Sequence, residues 1–218
     1  MRGRPGTANV AAAILTTRFS YAIEVASRRS RGEDRAGVIE APDGVVIVLA
    51  DGAGGTVNGA VAAQAVIDAV TRAGSAPGSW SSLLQQVDRD RPRLAGGQTT
   101  AVVVSVTARG LTGASVGDSG AWVVRGADIV DLTDGQRRKP LLGDGASPFE
   151  ITAAALGTGT LLVASDGLLR YARSEAIVQL VSGADLAAAA RGLVDLVRLR
   201  SGALPDDVSV VLCRAQAR

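Results

Sequence analysis

Two unbroken apolar runs, Val45-Val-Ile-Val-Leu-Ala50 and Leu161-Leu-Val-Ala164 with Ser165 after it, lead straight into aspartate–glycine pairs, Asp51-Gly52 and Asp166-Gly167. A strand with one face in water alternates apolar and polar residues, so these runs read as strands covered on both faces. The rest of the chain must supply layers on either side of them. Alternation over Phe19–Ala26 predicts a half-buried strand, and Ala, Val and Ile recur at helical spacing from Gly55 to Arg72. A second amphipathic helix is predicted from Trp80 to Asp90, after the Gly/Pro/Ser-rich turn Gly74–Ser79. Four short strands follow, Thr100–Val106, Leu111–Val116, Ala121–Arg125 and Asp128–Leu132, read as one β-meander. Residues Thr133–Gly159 are loop-rich, Thr160–Ser165 is the second buried strand, Ser174–Val181 and Asp185–Arg200 are helical, and Val208–Cys213 closes as a strand. Strands and helices come in blocks instead of alternating, which gives antiparallel sheets. The expected architecture is α+β: a four-layer α/β/β/α sandwich, two antiparallel sheets packed face to face with helices on the outer faces, in a single domain over residues 1–218.

Two absences narrow the chemistry. The chain of 218 residues has no histidine, which removes catalytic triads, imidazole bases and His-ligated metals. A single cysteine, Cys213, forbids an internal disulfide or a cysteine cluster and reads as a small apolar strand residue. No apolar run approaches the ~18 residues that span a bilayer. The short stretch Val10–Leu15 lacks a convincing cleavage pattern, so a cytoplasmic location is expected, with no membrane contact. Formal net charge is only +2. Arginines cluster at Arg28, Arg29, Arg31 and Arg35, but without interleaved aromatics, so nucleic acid is not an expected partner. The cluster suits a phosphate group, although a solvated basic turn is an equal reading. A dinucleotide fingerprint starting at Gly52 fails because Val57 stands where a glycine is needed.

Five Asp-Gly pairs begin at Asp43, Asp51, Asp134, Asp144 and Asp166. Three read as tight turns. Asp51 and Asp166 differ because a rigid strand end holds each of them. Glu33-Asp34 lies just after the first strand, Asp118 at a turn of the meander, and Asp206-Asp207 just before the last strand. Carboxylates gathered at one place repel by about 4 kcal/mol per pair at ~4 Å and an effective dielectric near 20. Something positive must compensate. With only oxygen ligands on offer, the fitting partners are hard divalent cations such as Mg²⁺ or Mn²⁺.

In their order and spacing, the segments Glu33-Asp34-Arg35, Val48-Leu-Ala-Asp51-Gly-Ala-Gly-Gly55, Gly97-Gln-Thr-Thr-Ala101, Ser115-Val-Gly-Asp118-Ser119, Leu162-Val-Ala-Ser-Asp166-Gly-Leu168 and Asp206-Asp207-Val-Ser-Val210 resemble the metal-dependent protein phosphatases (PPM), the type 2C serine/threonine phosphatases, in their short bacterial form. The resemblance spans nearly the whole chain. It implies two Mn²⁺ or Mg²⁺ ions per chain, bridged by Asp51, with the Gly52 carbonyl on one of them. Asp166 and Asp206 would complete one ion's shell and Glu33 would support the other. Asp118 resembles a ligand of a weaker third ion, and Asp34 an outer partner. Arg29, four residues before Glu33, matches the family's phosphate-binding arginine.

The implied reaction is hydrolysis of phosphoserine or phosphothreonine by a metal-activated water, on a phosphorylated protein and in opposition to a serine/threonine kinase, with the chain acting as a monomer. Two other readings stay open: a degenerate phosphoprotein-binding module without turnover, and a small-molecule phosphohydrolase. The chain departs from the family pattern at two places. Gly32 replaces an asparagine before Glu33, and Asp207 replaces an asparagine after the last ligand, either of which is expected to weaken a supporting hydrogen bond. The loop Leu141–Gly159 is short, and Arg138–Gly143 with the sole lysine, Lys139, reads as a basic connector or a binding loop.

Overall fold

The computed structural model describes residues 19–28, 32–53, 58–75 and 78–216. Its elements run β1 (Phe19–Ala26), β2 (Arg35–Ala41), β3 (Gly44–Ala50), α1 (Gly59–Ala73), α2 (Trp80–Arg89), α3 (Arg91–Leu94), β4 (Ala101–Thr107), β5 (Gly110–Val116), β6 (Gly120–Arg125), β7 (Asp128–Asp131), β8 (Phe149–Ala153), β9 (Thr160–Ala164), α4 (Asp166–Leu169), α5 (Ser174–Val181), α6 (Leu186–Leu196) and β10 (Val208–Ala215). Ten strands form two antiparallel sheets, β1-β10-β9-β6-β7 and β2-β3-β4-β5-β8.

The period of two along β3 explains the layering. Val45, Ile47 and Leu49 face the other sheet and meet Leu161, Val163, Val211 and Cys213 there. Val46, Val48 and Ala50 face outward and meet Ala62, Val66 and Val70 of α1 and Leu84 of α2. The second sheet is built the same way: Leu162, Ala164, Val210 and Leu212 are covered by Leu168, Ile177, Ala190 and Leu193 of α4, α5 and α6. The expected four-layer α/β/β/α sandwich is what the chain forms. Each buried Val, Leu or Ile contributes about 1.5–3 kcal/mol, and the central strands β3 and β9 are buried along their whole length.

The expected single meander is corrected. β4 and β5 lie in one sheet, while β6 and β7 lie in the other, so the chain changes sheets between Val116 and Gly120. Gly117 makes that switch at φ +99°, where any added Cβ would come within 2.7 Å of the Thr100 side chain. Two strands escaped the sequence reading. β2 is an edge strand, half-buried at most positions and without alternation, and β8 is only five residues inside a loop-rich stretch. The first helix starts at Gly59, and the last ends at Leu196, short of the expected Arg200. Among the described residues no helix is long and apolar enough to cross a membrane.

Register puts the acids singled out in the sequence at one end of the sandwich. Ala50 pairs with Arg35, so Asp51 leaves β3 beside the point where Glu33-Asp34 enter β2. Ala164 pairs with both Gly120 and Val210, so Asp166 leaves β9 between Asp118 and Asp206-Asp207.

Candidate functional site

Asp51 is held by its backbone. Its N–H donates to Thr100 Oγ1 at 3.0 Å, and its carbonyl accepts from Thr99 Oγ1 at 2.9 Å and from the Thr100 N–H at 2.8 Å. Thr100 Oγ1 in turn lies 2.7 Å from Ser119 Oγ, which joins the strand end of Asp51 to the connector carrying Asp118. The Gln98 carbonyl accepts the N–H of Ala53, so the Gly97-Gln-Thr-Thr segment grips the whole Asp51–Ala53 turn. Leu142 bridges Thr99 from behind, and the buried carboxylate of Asp88 accepts the N–H groups of Gly143, Gly145 and Ala146. The Arg138–Gly143 stretch therefore supports the floor of the site, with Leu141 and Leu142 buried.

The glycines after Asp51 and Asp166 serve close packing. A Cβ on Gly52 would lie 2.5 Å from the carbonyl of Gly59, and a Cβ on Gly167 would lie 1.9 Å from the carbonyl oxygen of Asp207. Both aspartates are thereby drawn against neighbouring backbone. Of the three pairs expected to be plain turns, Gly135 and Gly145 do adopt positive φ, 88° and 82°, whereas Gly44 packs its α-carbon face onto the Val106 carbonyl.

Six aspartates, Asp34, Asp51, Asp118, Asp166, Asp206 and Asp207, share one electrostatic neighbourhood. Burial is the main cause that pushes the Asp51 carboxyl up to about 10, and Asp34, Asp166 and Asp118 add to it by repulsion. Asp34 is almost fully enclosed, and burial pushes it up to about 6 against the opposing hydrogen bonds of Ser209 and Ser165. Ser209 Oγ donates to Asp34 Oδ2 at 2.6 Å, while Asp34 Oδ1 receives no N–H or O–H among the described residues. Asp166 is raised by burial and then by Asp118 and Asp206, and Arg170, 4.0 Å away, partly offsets this. The site thus collects acids from both sheets.

The remaining residues take their places around this group. Glu33 reaches the start of α1, where a Cβ on Gly59 would lie 2.8 Å from Glu33 Oε1 and 3.0 Å from the Gly52 carbonyl carbon. Asp206 Oδ1 accepts the N–H of Asp207 at 3.0 Å. Asp118 lines an adjoining cavity of about 230 Å³ together with Trp122, Asp131, Thr133, Asp134 and Arg138. Arg35 turns back on its own strand, donating to the carbonyls of Gly32 and Asp34. Arg29 and Arg31 lie outside the described residues. Thr99, Thr100, Ser119, Ser165 and Ser209 sit within the motifs named above, but their supporting roles appear only in three dimensions, since a hydroxyl carries no signal of which carboxylate it faces.

Every ligand-type atom here is oxygen, which suits hard divalent cations. Among the described residues no three acidic side chains are already drawn together tightly enough to grip one bare ion.

The chain was compared with known proteins. The family model for Stage II sporulation protein E (SpoIIE) matches residues 41–216. Among curated proteins there is no match. Among solved structures, the serine/threonine phosphatase Stp1 from Staphylococcus aureus is 21% identical with a TM-score of 0.79, covering 100% of both chains. The Mycobacterium tuberculosis serine/threonine phosphatase PstP/Ppp is 24% identical with a TM-score of 0.71, over 91% of this chain and 99% of that one. A catalytic domain of PstP in complex with two manganese ions is 23% identical, with a TM-score of 0.70 over the same shares. The motif order, the two five-stranded sheets and the match over most of the chain lead to one conclusion: this chain belongs to the Stage II sporulation protein E (SpoIIE) family and has the PP2C-like phosphatase fold.

Proposed function

We propose that the chain is a metal-dependent protein serine/threonine phosphatase, its whole length forming one catalytic domain. The observation that carries this reading is the crowding of Asp34, Asp51, Asp118, Asp166 and Asp206 at one end of the sandwich, where burial first and then repulsion push Asp51 up to about 10. An enclosed acid cluster of this kind costs stability unless cations balance it. The all-oxygen donor set and the manganese found in the similar PstP domain support Mn²⁺ or Mg²⁺, two ions per chain with a weaker third at Asp118. Asp51, the Gly52 carbonyl, Asp166, Asp206 and Glu33 would hold the ions. Bound there, they would supply a water of lowered pKa and a counter-charge for phosphoryl oxygens.

The chain's own residues do the positioning. Thr99 and Thr100 fix the Asp51 backbone, so that its carboxylate stays aimed into the bowl. Ser209 and Ser165 orient Asp34 behind it. Arg29 is proposed to take the phosphate in a planar two-pronged grip. With no histidine in the chain, water must protonate the leaving alkoxide. The substrate is a phosphorylated protein and the opposing enzyme a serine/threonine kinase, with the phosphatase working as a monomer in the cytoplasm.

The test is hydrolysis of an aryl phosphate and of a phosphothreonine peptide with Mn²⁺, with Mg²⁺ and after chelation. Turnover of both, abolished by chelator and restored by metal, is the expected result. Binding of the phosphopeptide with no turnover under either metal would favour a binding module. Strong preference for small phosphate esters by kcat/KM would favour a small-molecule phosphohydrolase.

A further inference from the structure

We infer that Asp207 is a clasp that holds Glu33 against the Asp206-Asp207 turn, with Gly32 leaving the room that the clasp needs. This rests on the reading of the acidic bowl as a cation site. The two ends of the loop between β1 and β2 meet on one carboxylate: Asp207 Oδ1 accepts the Arg28 N–H at 2.7 Å, and Oδ2 accepts the Glu33 N–H at 2.6 Å. Both oxygens of Asp207 are engaged as acceptors from backbone donors. Asparagine has one acceptor oxygen and an NH₂ that only donates, so it would leave one of these N–H groups facing another donor. The aspartate at 207 is therefore a better fit for this loop than the expected residue.

Gly32 is the other half of the arrangement. A Cβ there would fall 2.0 Å from Ser27 Oγ, 2.8 Å from Ser27 Cβ and 3.0 Å from Asp207 Oδ2, so a side chain at 32 would have to displace Ser27 and would crowd the Asp207 carboxylate. Glycine at 32 leaves that space to Ser27 and to the carboxylate. The backbone of Asp207 meanwhile donates to Asp206 Oδ1 at 3.0 Å, so one residue orients two acids, Asp206 on the β10 side and Glu33 on the β2 side. Those strands belong to different sheets. Asp207 is a positioning residue that ties the two sheets together at the site.

The experiment titrates Mn²⁺ into the full metal-free chain by calorimetry, for wild type, Asp207→Asn and Gly32→Ala, alongside aryl phosphate kinetics at varied Mn²⁺. Both variants should bind manganese about 10–100-fold more weakly, the range seen when a partner of a metal ligand is lost. At saturating Mn²⁺ kcat should recover most of its value, because the ligands themselves are intact. Amide hydrogen exchange on the wild type supplies a readout independent of variant folding, and the Arg28 and Glu33 amides should be protected together. Fast exchange at either amide, or variants that bind manganese as tightly as wild type, would overturn the clasp alone. A wild-type chain that binds no manganese would overturn the cation-site reading and the clasp with it.

Discussion

At the scale of single residues, a carboxylate's neighbours decide whether it stabilises or strains the fold, and Asp51 is the clearest case. Its backbone is anchored through three hydrogen bonds to Thr99 and Thr100, yet its side chain faces Asp34, Asp118 and Asp166. Asp51→Asn keeps the shape and removes a carboxyl whose ionisation burial and these neighbours oppose. The metal-free variant should gain about 1 kcal/mol, which for a chain of this size is about 2–4 °C in melting temperature, while phosphatase activity should fall by at least about 10²-fold. A thermal melt and an aryl phosphate assay on the same preparation check both signs; an active or a less stable variant would contradict the central place given to this residue. Asp51 and Asp166 were legible in the sequence because each follows a run of buried aliphatic residues, a signal that needs no partner to be seen. Ser209 and Thr100 were not, because what they do depends on a residue brought near only by folding: Asp34, at the other sheet, for one and Asp51, on the neighbouring strand's end, for the other.

Elements carry a second layer of meaning, in where the chain crosses between sheets. Three connectors run from one sheet to the other at the same end of the sandwich: 27–34 between β1 and β2, 117–119 between β5 and β6, and 132–148 between β7 and β8. Glu33, Asp34 and Asp118 lie on these connectors. The four strands from Thr100 to Leu132 have the spacing of a meander, and periodicity records which face of a strand is buried but not which sheet the strand joins. That is why the sheet switch was missed while the strands themselves were found. The edge strand β2 was missed for a related reason: half-buried along most of its length, it lacks the alternation that marks a strand. Gly117 makes the second crossing possible at φ +99°, against Thr100. Gly117→Val should therefore cost about 1–3 kcal/mol and shift Asp118 relative to Asp166. Chemical denaturation measures the first effect, and weaker binding of a third manganese, with the first two retained, measures the second.

For the whole molecule, the two sheets meet at the acid-lined end with their charges unbalanced, so pH and metal should govern stability jointly. Asp51 is pushed up to about 10 and Asp34 to about 6, chiefly by burial in both cases, and Asp166 is raised as well. All three are raised above the carboxylate value they would have in the unfolded chain, near 4. Between pH 4 and the folded values, the folded chain therefore holds protons that the unfolded chain releases. Linkage then makes stability fall as pH rises across this window. The contribution is fully present below about pH 4, is lost through about 6 for Asp34, and continues to be lost toward 10 for Asp51. Metal-free protein should accordingly melt at a higher temperature at pH 5.5 than at pH 8. Mn²⁺ should reverse the order by binding only the folded, deprotonated bowl, raising the melting temperature most at pH 8. The pH slope of the metal-free protein should flatten in Asp51→Asn, because that residue has the widest titration window. Melting curves at pH 5.5, 7 and 8, with chelator and with manganese, distinguish this from a site whose acids lie in water. Water-exposed acids would give no downward slope without metal, and manganese would then shift the curve little at any pH.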